Sequence, residues 1–278
     1  MHDVCLPDGT KIPAIGQGSW YMGERNSDRA AEARALRLGL DLGLTLIDAA
    51  EMYADGGAEE VVGEAIKGRR DEVFLVSKAY PQNASHARAK RACEASLKRL
   101  GTDYLDLYLL HWRGGVPFSE TIAAFEALVQ EGKIRRWGVS NLDPDDMQEL
   151  FALPGGRACA VDQLLYNPEY RGIEFDMLPW AKAEHLPIMA YSPVGQGGAL
   201  LQNAALRTVA ARHQATPAQI ALAWALRHSH VIAIPKAARE MHVRQNAAAA
   251  DIILTPEDLA DIDRAYQPPR RAVPLAML

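Results

Sequence analysis

Cysteine is scarce in this chain of 278 residues, which has only Cys5, Cys93 and Cys159, far apart in sequence. No Cys-x-x-Cys pair occurs, so neither a zinc ribbon nor a disulfide framework is predicted. No apolar run approaches the roughly 20 residues that a membrane-spanning helix needs. The amino-terminal residues do not combine a charged segment with an apolar one, so no secretion signal is expected. These absences predict a cytoplasmic protein with reduced thiols and no membrane partner.

The chain also lacks an excess or a local concentration of basic residues. The formal net charge is −5, and Lys and Arg form no stripe or block along the chain. Nucleic acid is therefore not expected as a partner. Residues 1–278 contain no linker-like stretch, and 49% of them are hydrophobic. The chain can bury a sizeable core, and a single domain is predicted.

Short apolar runs rich in Val, Ile and Leu alternate with helical patterns, as is typical of strands buried on both faces. The eight runs are residues 14–18, 45–48, 73–78, 104–111, 136–140, 160–165, 187–192 and 231–236. Strands that alternate with helices imply parallel βαβ units with right-handed crossovers. Eight such units in one chain predict an α/β fold, the (β/α)8 TIM barrel, whose usual size is about 250 residues.

Two further elements are expected outside the eight repeats. Asp8-Gly9 lies at the centre of residues 4–13 and predicts an amino-terminal β-hairpin. Thr255-Pro256 places a capping residue before proline and predicts an extra helix near the carboxyl terminus. A doubly wound sheet is the alternative fold, but residues 16–23 (GQGSWYMG) do not match GxGxxG, and no GxxxxGK[ST] occurs.

Polar side chains stand at the carboxyl ends of seven of the eight predicted strands, where barrels of this kind carry their active sites. In chain order they are Asp48, Lys78, His111, Ser140 with Asn141, Gln163, Tyr191 with Ser192, and Lys236. Each residue alone has a structural explanation, such as an exposed strand terminus. The agreement of seven strand ends indicates an active site.

Tyr53, five residues after Asp48, can serve as a proton donor if Lys78 assists it. Tyrosine has a pKa of about 10 and donates poorly at neutral pH. A cation about 4 Å away favours phenolate by at most about 4 kcal/mol at an effective dielectric near 20. A buried lysine needs a carboxylate to stay charged, and Asp48 can be that partner, although its own charge offsets part of the effect. A neutral His111 could orient a bound carbonyl.

Other catalytic patterns are missing. Residues 138–142 (GVSNL) are not a GxSxG nucleophile elbow, and no HExxH occurs, so no metal site is predicted. A proton donor beside a developing alkoxide suits the reduction of a carbonyl by hydride, which only a cofactor can supply. A metal-dependent hydrolase on the same barrel, with Asp48, His111 and His185 as ligands, is an alternative.

Several motifs resemble, in order and spacing, those of the aldo-keto reductase family. They are DAAEMY at residues 48–53, VSK at 76–78, LDLYLLHW at 105–112, WGVSN at 137–141 and IPK at 234–236. The similarity runs from the hairpin to the helix near Asn246. It implies a (β/α)8 barrel and the NADPH-dependent reduction of aldehydes and ketones to alcohols. It also implies a catalytic tetrad of Asp48, Tyr53, Lys78 and His111, with Tyr53 as the general acid.

The resemblance implies a nicotinamide cofactor site as well. Ser140, Asn141 and Gln163 would hold the nicotinamide carboxamide, and Tyr191 would stack on the ring. Residues 192–198 would place backbone amides along the pyrophosphate, since their glycines permit close approach. The other implied cofactor contacts are Gly18, Ser19, Trp20, Ser192, Val194, Gln196, Lys236, Arg239, His242 and Asn246. Trp20 and Trp112 would line the substrate pocket.

Two departures from the family pattern concern the adenosine 2′-phosphate. Ala237 stands where many members have serine, and His242 stands where they place an arginine. Lys236 and Arg239 could still hold a doubly charged phosphate, but with fewer fork-like contacts. NADPH is therefore the expected cofactor, with NADH as the alternative.

The tail after Tyr266 is short and carries few large side chains. Trp20, Tyr53, Trp112 and Tyr21 predict an apolar, partly aromatic pocket. Small or aromatic aldehydes, methylglyoxal-like dicarbonyls and related ketones all fit that expectation as small-molecule carbonyl substrates. The protein is expected to act as a monomer. The alternative function is a catalytically weak, nicotinamide-binding regulatory subunit of the same fold, and the intact tetrad argues against it.

Overall fold

The computed structural model of the protein describes residues 2–278. Within this range the strands are β1 (Asp3–Cys5), β2 (Lys11–Pro13), β3 (Gln17–Gly18), β4 (Leu46–Asp48), β5 (Phe74–Ala79), β6 (Leu107–Leu110), β7 (Trp137–Ser140), β8 (Asp162–Leu165), β9 (Ile188–Tyr191) and β10 (Val231–Ala233). The helices are α1 (Arg29–Asp41), α2 (Gly57–Ile66), α3 (His86–Leu100), α4 (Phe118–Gln130), α5 (Pro144–Ala152), α6 (Met177–Ala183), α7 (Ala204–Arg212), α8 (Pro217–Ala225), α9 (Glu240–Ala248) and α10 (Pro256–Ala265).

Strands β3 to β10 form one parallel sheet in which neighbours in sequence are neighbours in space. The sheet closes on itself, because Ile15 bridges Ala233 and Gly18 bridges Lys236 in parallel. The Gly16 amide donates to the Ala233 carbonyl across 2.9 Å at this seam. The structure is therefore a closed eight-stranded barrel with outer helices, and the predicted (β/α)8 fold is confirmed.

The two faces of each strand pack into different layers. On β6, Leu107 and Leu109 point into the barrel interior, whereas Tyr108 and Leu110 pack among the helices outside. This alternation follows from the two-residue period of a strand. Because both faces are buried, the strands carry continuous apolar runs, and that is why composition and alternation with helices located them correctly.

The amino-terminal hairpin is formed by β1 and β2, in which Val4 lies opposite Ile12. Both side chains are buried in the same cluster as Leu46 and Leu107 of the barrel interior. The hairpin therefore covers the end of the barrel at which the strands begin. The opposite end, where the strands finish, stays open for a site.

The extra carboxyl-terminal helix is α10. It begins with a capping box, in which Thr255 accepts from the Asp258 amide while the Asp258 side chain accepts from the Thr255 amide. Asp258 also contacts His213 at the end of α7, with 2.7 Å between Oδ2 and Nε2, so α10 packs beside α7. No helix within residues 2–278 is both long and apolar enough to cross a membrane.

Candidate active site

Adjacent strands β4, β5 and β6 bring Asp48, Lys78 and His111 to the open end of the barrel. Tyr53 starts a short 3-10 turn just beyond β4. The next two residues, Ala54 and Asp55, adopt left-handed backbone with φ of +51° and +50°. Such angles are uncommon for residues with a side chain. This turn directs Tyr53 back over the barrel mouth, so the structure brings all four predicted catalytic residues together.

Lys78 lies at the centre of the group and is fully buried. Its Nζ lies 2.7 Å from Asp48 Oδ2, 2.9 Å from the Ala49 carbonyl oxygen and 3.1 Å from the Tyr53 hydroxyl. The ammonium group has three donors, and these three contacts use all of them. Burial is the largest single influence and acts to lower the pKa of Lys78, but the charges of Asp48 and Tyr53 and the hydrogen bonds to both residues together outweigh it, and the pKa is raised. Asp48 therefore keeps Lys78 charged, as expected from the sequence.

The pKa of Tyr53 departs from the expectation. Burial raises the pKa of this phenol, the charge of Lys78 offsets the increase only in part, and the charge of Asp48 adds to it. Lys78 therefore acts on the pKa of Tyr53 in the predicted direction, but the net pKa lies above the ordinary value, because burial of the phenol was not weighed in the sequence analysis. Since the Tyr53 oxygen accepts from Lys78, its own proton remains available to a group in the cleft.

His111 is neutral in this site. Burial and then the charge of Lys78 lower its pKa to about 3. Its Nδ1 is buried and has no hydrogen-bond partner within residues 2–278. The imidazole ring lies edge-on to the ring of Tyr53, with 5.9 Å between the centroids. A neutral imidazole beside the phenol can orient a carbonyl oxygen without competing as a second cation.

Three residues that were expected to hold the nicotinamide carboxamide form a network behind the tetrad. Gln163 donates from Nε2 to Asp48 Oδ1 across 2.8 Å, and Ser140 donates to the Gln163 carbonyl across 2.8 Å. Asn141 donates to the His111 carbonyl and accepts from the Tyr191 hydroxyl. The contact between Gln163 and Asp48 was not anticipated from the sequence, because the two residues are 115 positions apart.

A cleft of about 880 Å³ opens from the Tyr53 side chain and reaches helix α9. The predicted site residues that line it are Gly18, Trp20, Asp48, Tyr53, Tyr191, Ser192, Val194, Gln196, Lys236, His242 and Asn246. Its volume lies within the range of about 300–1,000 Å³ that is usual for small-molecule sites. The structure therefore gathers catalytic and cofactor candidates from distant segments around one opening.

Eight predicted site residues do not line the cleft: Lys78, His111, Ser140, Asn141 and Gln163, whose contacts are described above, and Ser19, Arg239 and Trp112. The buried Ser19 hydroxyl donates to the Asp48 carbonyl across 2.8 Å, so its side chain is used within the protein. Arg239 is exposed at the first turn of α9. Trp112 packs against His111, with 4.9 Å between ring centroids, and lies edge-on to Tyr80.

Other residues of the cleft were missed by the sequence analysis. They are Leu201, Gln202, Arg207, Thr216, Pro217, Ala218, Ile234, Met241 and Gln245. Pro193 and Gly197 line the cleft as part of the predicted loop 192–198, and Tyr21, expected as a pocket residue, lines it with its ring stacked on Trp20 at 4.6 Å. Thr216-Pro217 places a capping residue before proline, which predicts only the start of a helix, and Arg207 carries no local signal. Helices α7 and α8 reach the cleft through tertiary packing, which short motifs do not encode.

The alternative of a metal-dependent hydrolase loses its ligand set. His185 lies between α6 and β9, a helix-to-strand connection at the end of the barrel opposite to Asp48 and His111. Within residues 2–278, no group of three or more His, Cys, Asp or Glu side chains could hold a metal ion.

A nicotinamide dinucleotide fits the groups that the cleft presents. Lys236 and Arg207 line it without a side-chain partner in the described chain, which suits an anionic ligand. The loop of residues 192–198 lies along one wall, with Gly195 and Gly197 in left-handed backbone at φ of +58° and +74°. At Gly18 a Cβ atom would lie 2.8 Å from the Ile234 carbonyl oxygen, so only glycine allows this close approach.

Comparisons with known proteins agree with this geometry. The sequence model of the "Aldo/keto reductase family" matches residues 14–267. Methylglyoxal reductase YeaE of Escherichia coli (strain K12) is 57% identical over 271 residues, which cover 96% of this chain and 95% of that protein. Glyoxal reductase of Bacillus subtilis (strain 168) is 34% identical, with 94% and 91% covered. A crystal structure of an aldo-keto reductase from Klebsiella pneumoniae in complex with NADPH has a TM-score of 0.98 at 56% identity, covering 100% of this chain and 99% of that one. The chain therefore belongs to the aldo/keto reductase family, and the resemblance seen in its motifs is confirmed.

Proposed function

We propose that this protein reduces aldehydes and ketones to alcohols with NADPH, and that Tyr53 is the general acid. The observation that carries the proposal is the contact of 3.1 Å between the buried Lys78 ammonium and the Tyr53 hydroxyl at the wall of the cleft. A protonated phenol held beside a fixed cation suits an oxygen that becomes an alkoxide. When bound, the cofactor supplies the hydride that no side chain can provide.

Each member of the tetrad has a separate task in this proposal. Tyr53 transfers its proton to the substrate oxygen, and the resulting phenolate lies beside the Lys78 ammonium. The attraction between these two charges appears only as the proton leaves, so it stabilises the transition state more than the ground state. Asp48 keeps Lys78 charged. His111, being neutral, donates from its ring N–H to the carbonyl oxygen and orients it.

The cofactor would lie along the cleft between Tyr53 and helix α9. Tyr191 would stack on the nicotinamide, and Asn141, already bonded to the Tyr191 hydroxyl at 2.9 Å, would hold the carboxamide. Lys236 would bind the adenosine 2′-phosphate, and Asn246 would contact the adenine. The NADPH complex of the related Klebsiella pneumoniae enzyme supports this choice of cofactor.

Small dicarbonyls are the leading substrate class. Relatives named methylglyoxal reductase and glyoxal reductase match more than nine-tenths of this chain. The aromatic wall of the cleft supports a flat, compact substrate, because Tyr21 stacks on Trp20 and Trp20 lies 6.3 Å from Tyr53 between ring centroids. Methylglyoxal, glyoxal and aromatic aldehydes therefore belong in one test panel.

The test follows nicotinamide absorbance while the protein is incubated with NADPH and this panel. Tyr53→Phe should lower turnover by about 10²–10⁴-fold, the usual contribution of a positioned acid. Its dissociation constant for NADPH should stay within about twofold, because the phenol contributes little to cofactor binding. Tyr104→Phe is the matched control, since Tyr104 lies before β6 against Arg70 and away from the cleft.

Two outcomes would contradict the proposal. If Tyr53→Phe kept most of its turnover, Tyr53 would not be the acid. If the unchanged protein bound NADPH but did not oxidise it in the presence of any carbonyl of the panel, the regulatory alternative would be favoured.

A further inference from the structure

Arg207 is the one arginine that lines the active-site cleft within the described chain. It is the fourth residue of α7 and is exposed. Its guanidinium has no hydrogen-bond or ion-pair partner among residues 2–278, whereas Arg212 on the same helix pairs with Asp258 and Asp261. An unpaired guanidinium at the wall of a ligand cleft is a ready donor for an anionic group.

Arg207 on α7 and Tyr53 after β4 belong to different sides of the barrel. Helix α7 packs on α8, and α8 packs on α9. Residues 216–218 at the start of α8 and His242 on α9 line the same cleft as Arg207. Tyr53 instead follows β4, on the side of the barrel where the tetrad lies. A dinucleotide whose nicotinamide lies at Tyr53 would therefore place its adenosine between α7 and α9.

The charges at this end suit a phosphate monoester. Arg207 and Lys236 are the lysine or arginine side chains that line the cleft within residues 2–278. Asp48 is the one carboxylate on the wall of that same described cleft, and it is paired with Lys78. A phosphate monoester carries about −1.5 to −2 charges at pH 7. Lysine meets it as a point charge, whereas arginine can form two parallel hydrogen bonds.

We propose that Arg207 binds the adenosine 2′-phosphate of NADPH together with Lys236, and thereby favours NADPH over NADH. The inference rests on the proposed function, because it requires the cofactor to occupy the cleft. It also accounts for His242, since the guanidinium that many family members place at this position of α9 comes instead from Arg207 on α7. The pyrophosphate is the less suitable partner, because the glycine-containing loop 192–198, which lines the cleft, would offer it backbone amides.

The test compares binding of nucleotides that differ only in the 2′-phosphate. Dissociation constants for NADPH and NADH are measured by tryptophan fluorescence, and those for 2′,5′-ADP and 5′-AMP by calorimetry, which needs no turnover. Arg207→Met, which keeps an apolar stem, should weaken NADPH and 2′,5′-ADP about tenfold, equivalent to about 1.4 kcal/mol. NADH and 5′-AMP should change by less than about twofold. Arg207→Lys should recover part of the loss.

Arg244→Met is the matched control. Arg244 is exposed on α9, pairs with Glu240 at 2.8 Å and does not line the cleft. All four dissociation constants should be unchanged in this variant.

The outcomes separate this inference from the function on which it rests. An equal loss for nucleotides with and without the 2′-phosphate would place Arg207 on the shared phosphates and overturn the inference. No loss in Arg207→Met, with the unchanged protein still binding and oxidising NADPH, would overturn it and leave the proposed function intact. Failure of the unchanged protein to bind either dinucleotide would overturn both.

Discussion

Gln163 bonds Asp48 across the mouth of the barrel, with 2.8 Å between Nε2 and Oδ1. Strands β8 and β4, which carry these residues, are four positions apart in a ring of eight and therefore lie opposite each other. The second carboxylate oxygen of Asp48, Oδ2, accepts a hydrogen bond from Lys78 Nζ at 2.7 Å. Both oxygens of this buried acid thus have a donor, and the contact ties the proposed carboxamide-binding residues to the proposed proton donor.

Removing this donor should affect stability and turnover together. In Gln163→Leu a buried carboxylate loses a charge-assisted hydrogen bond, which costs about 1.5–3 kcal/mol of unfolding free energy. Turnover should fall at least about tenfold, because small misplacements of catalytic groups cost that much or more. Urea unfolding and steady-state reduction of methylglyoxal are the measurements.

Gln17→Leu is the control for this prediction. Gln17 is also buried, and its amide donates to the carbonyls of Leu36 and Leu44 at 3.1 and 2.9 Å, outside the site. It should lose stability and keep its turnover within about twofold, since its partners are neutral backbone groups. Equal losses of turnover in the two variants would show that Gln163 has no special effect on Asp48.

The Asp48–Lys78 ion pair should show strong coupling in a double-mutant cycle. Lys78→Met leaves a buried, unpaired carboxylate and should cost about 3–5 kcal/mol of unfolding free energy. Adding Asp48→Asn should recover a large part of that loss, because the uncompensated charge is removed, while turnover stays abolished. Chemical unfolding at pH 7 measures the cycle. Additive losses in the double variant would mean that the two charges do not depend on each other.

His111 should remain neutral across the working range of pH. Its folded pKa of about 3 lies below the value of about 6.5 for an unfolded histidine, so the unfolded chain binds more protons between these two values. Stability is therefore lost as pH falls from about 6.5 towards 3, by at most about 1.4 kcal/mol per pH unit. NMR titration of the imidazole resonance that disappears in His111→Gln should show no midpoint above pH 5. A midpoint near 6.5 would contradict the assignment of a neutral imidazole.

Asp162 should destabilise the fold as pH rises. This residue of β8 is fully buried and forms no ion pair within the described chain, and burial raises its pKa well above the ordinary value. The folded state holds the proton that the unfolded state releases above about pH 4, so stability falls as pH increases from there. Asp162→Asn should therefore raise Tm at pH 8, by about 2–4 °C for each kcal/mol gained.

The advantage of Asp162→Asn should shrink as pH falls towards 4, because unfolded Asp162 becomes increasingly protonated near its ordinary pKa of about 3.9. Thermal unfolding at pH 4.5, 6 and 8 provides the comparison. A difference in Tm that does not depend on pH would mean that Asp162 does not titrate with folding.

The sequence predicted the barrel and its catalytic groups for reasons that are local. The strands of a parallel barrel are buried on both faces, so each is an apolar run, and each run ends where the chain leaves the core. Asp48, Lys78 and His111 stand at such ends, and a closed ring of parallel strands must bring these ends to one side. Their meeting follows from topology alone, before any side-chain geometry is known.

Other features depend on distances that no motif contains. The sign of the Tyr53 pKa shift is a balance between burial and two opposite charges, and only the three-dimensional arrangement decides it. The partner of Gln163 and the place of Arg207 depend on how β8 faces β4 and on how α7 packs beside α8 and α9. The order and ends of the strands were determined by the sequence itself, because burial and turns act over a few residues. The charges that meet across the mouth were decided by tertiary structure, because electrostatic interactions depend on separation in space and on exclusion of water.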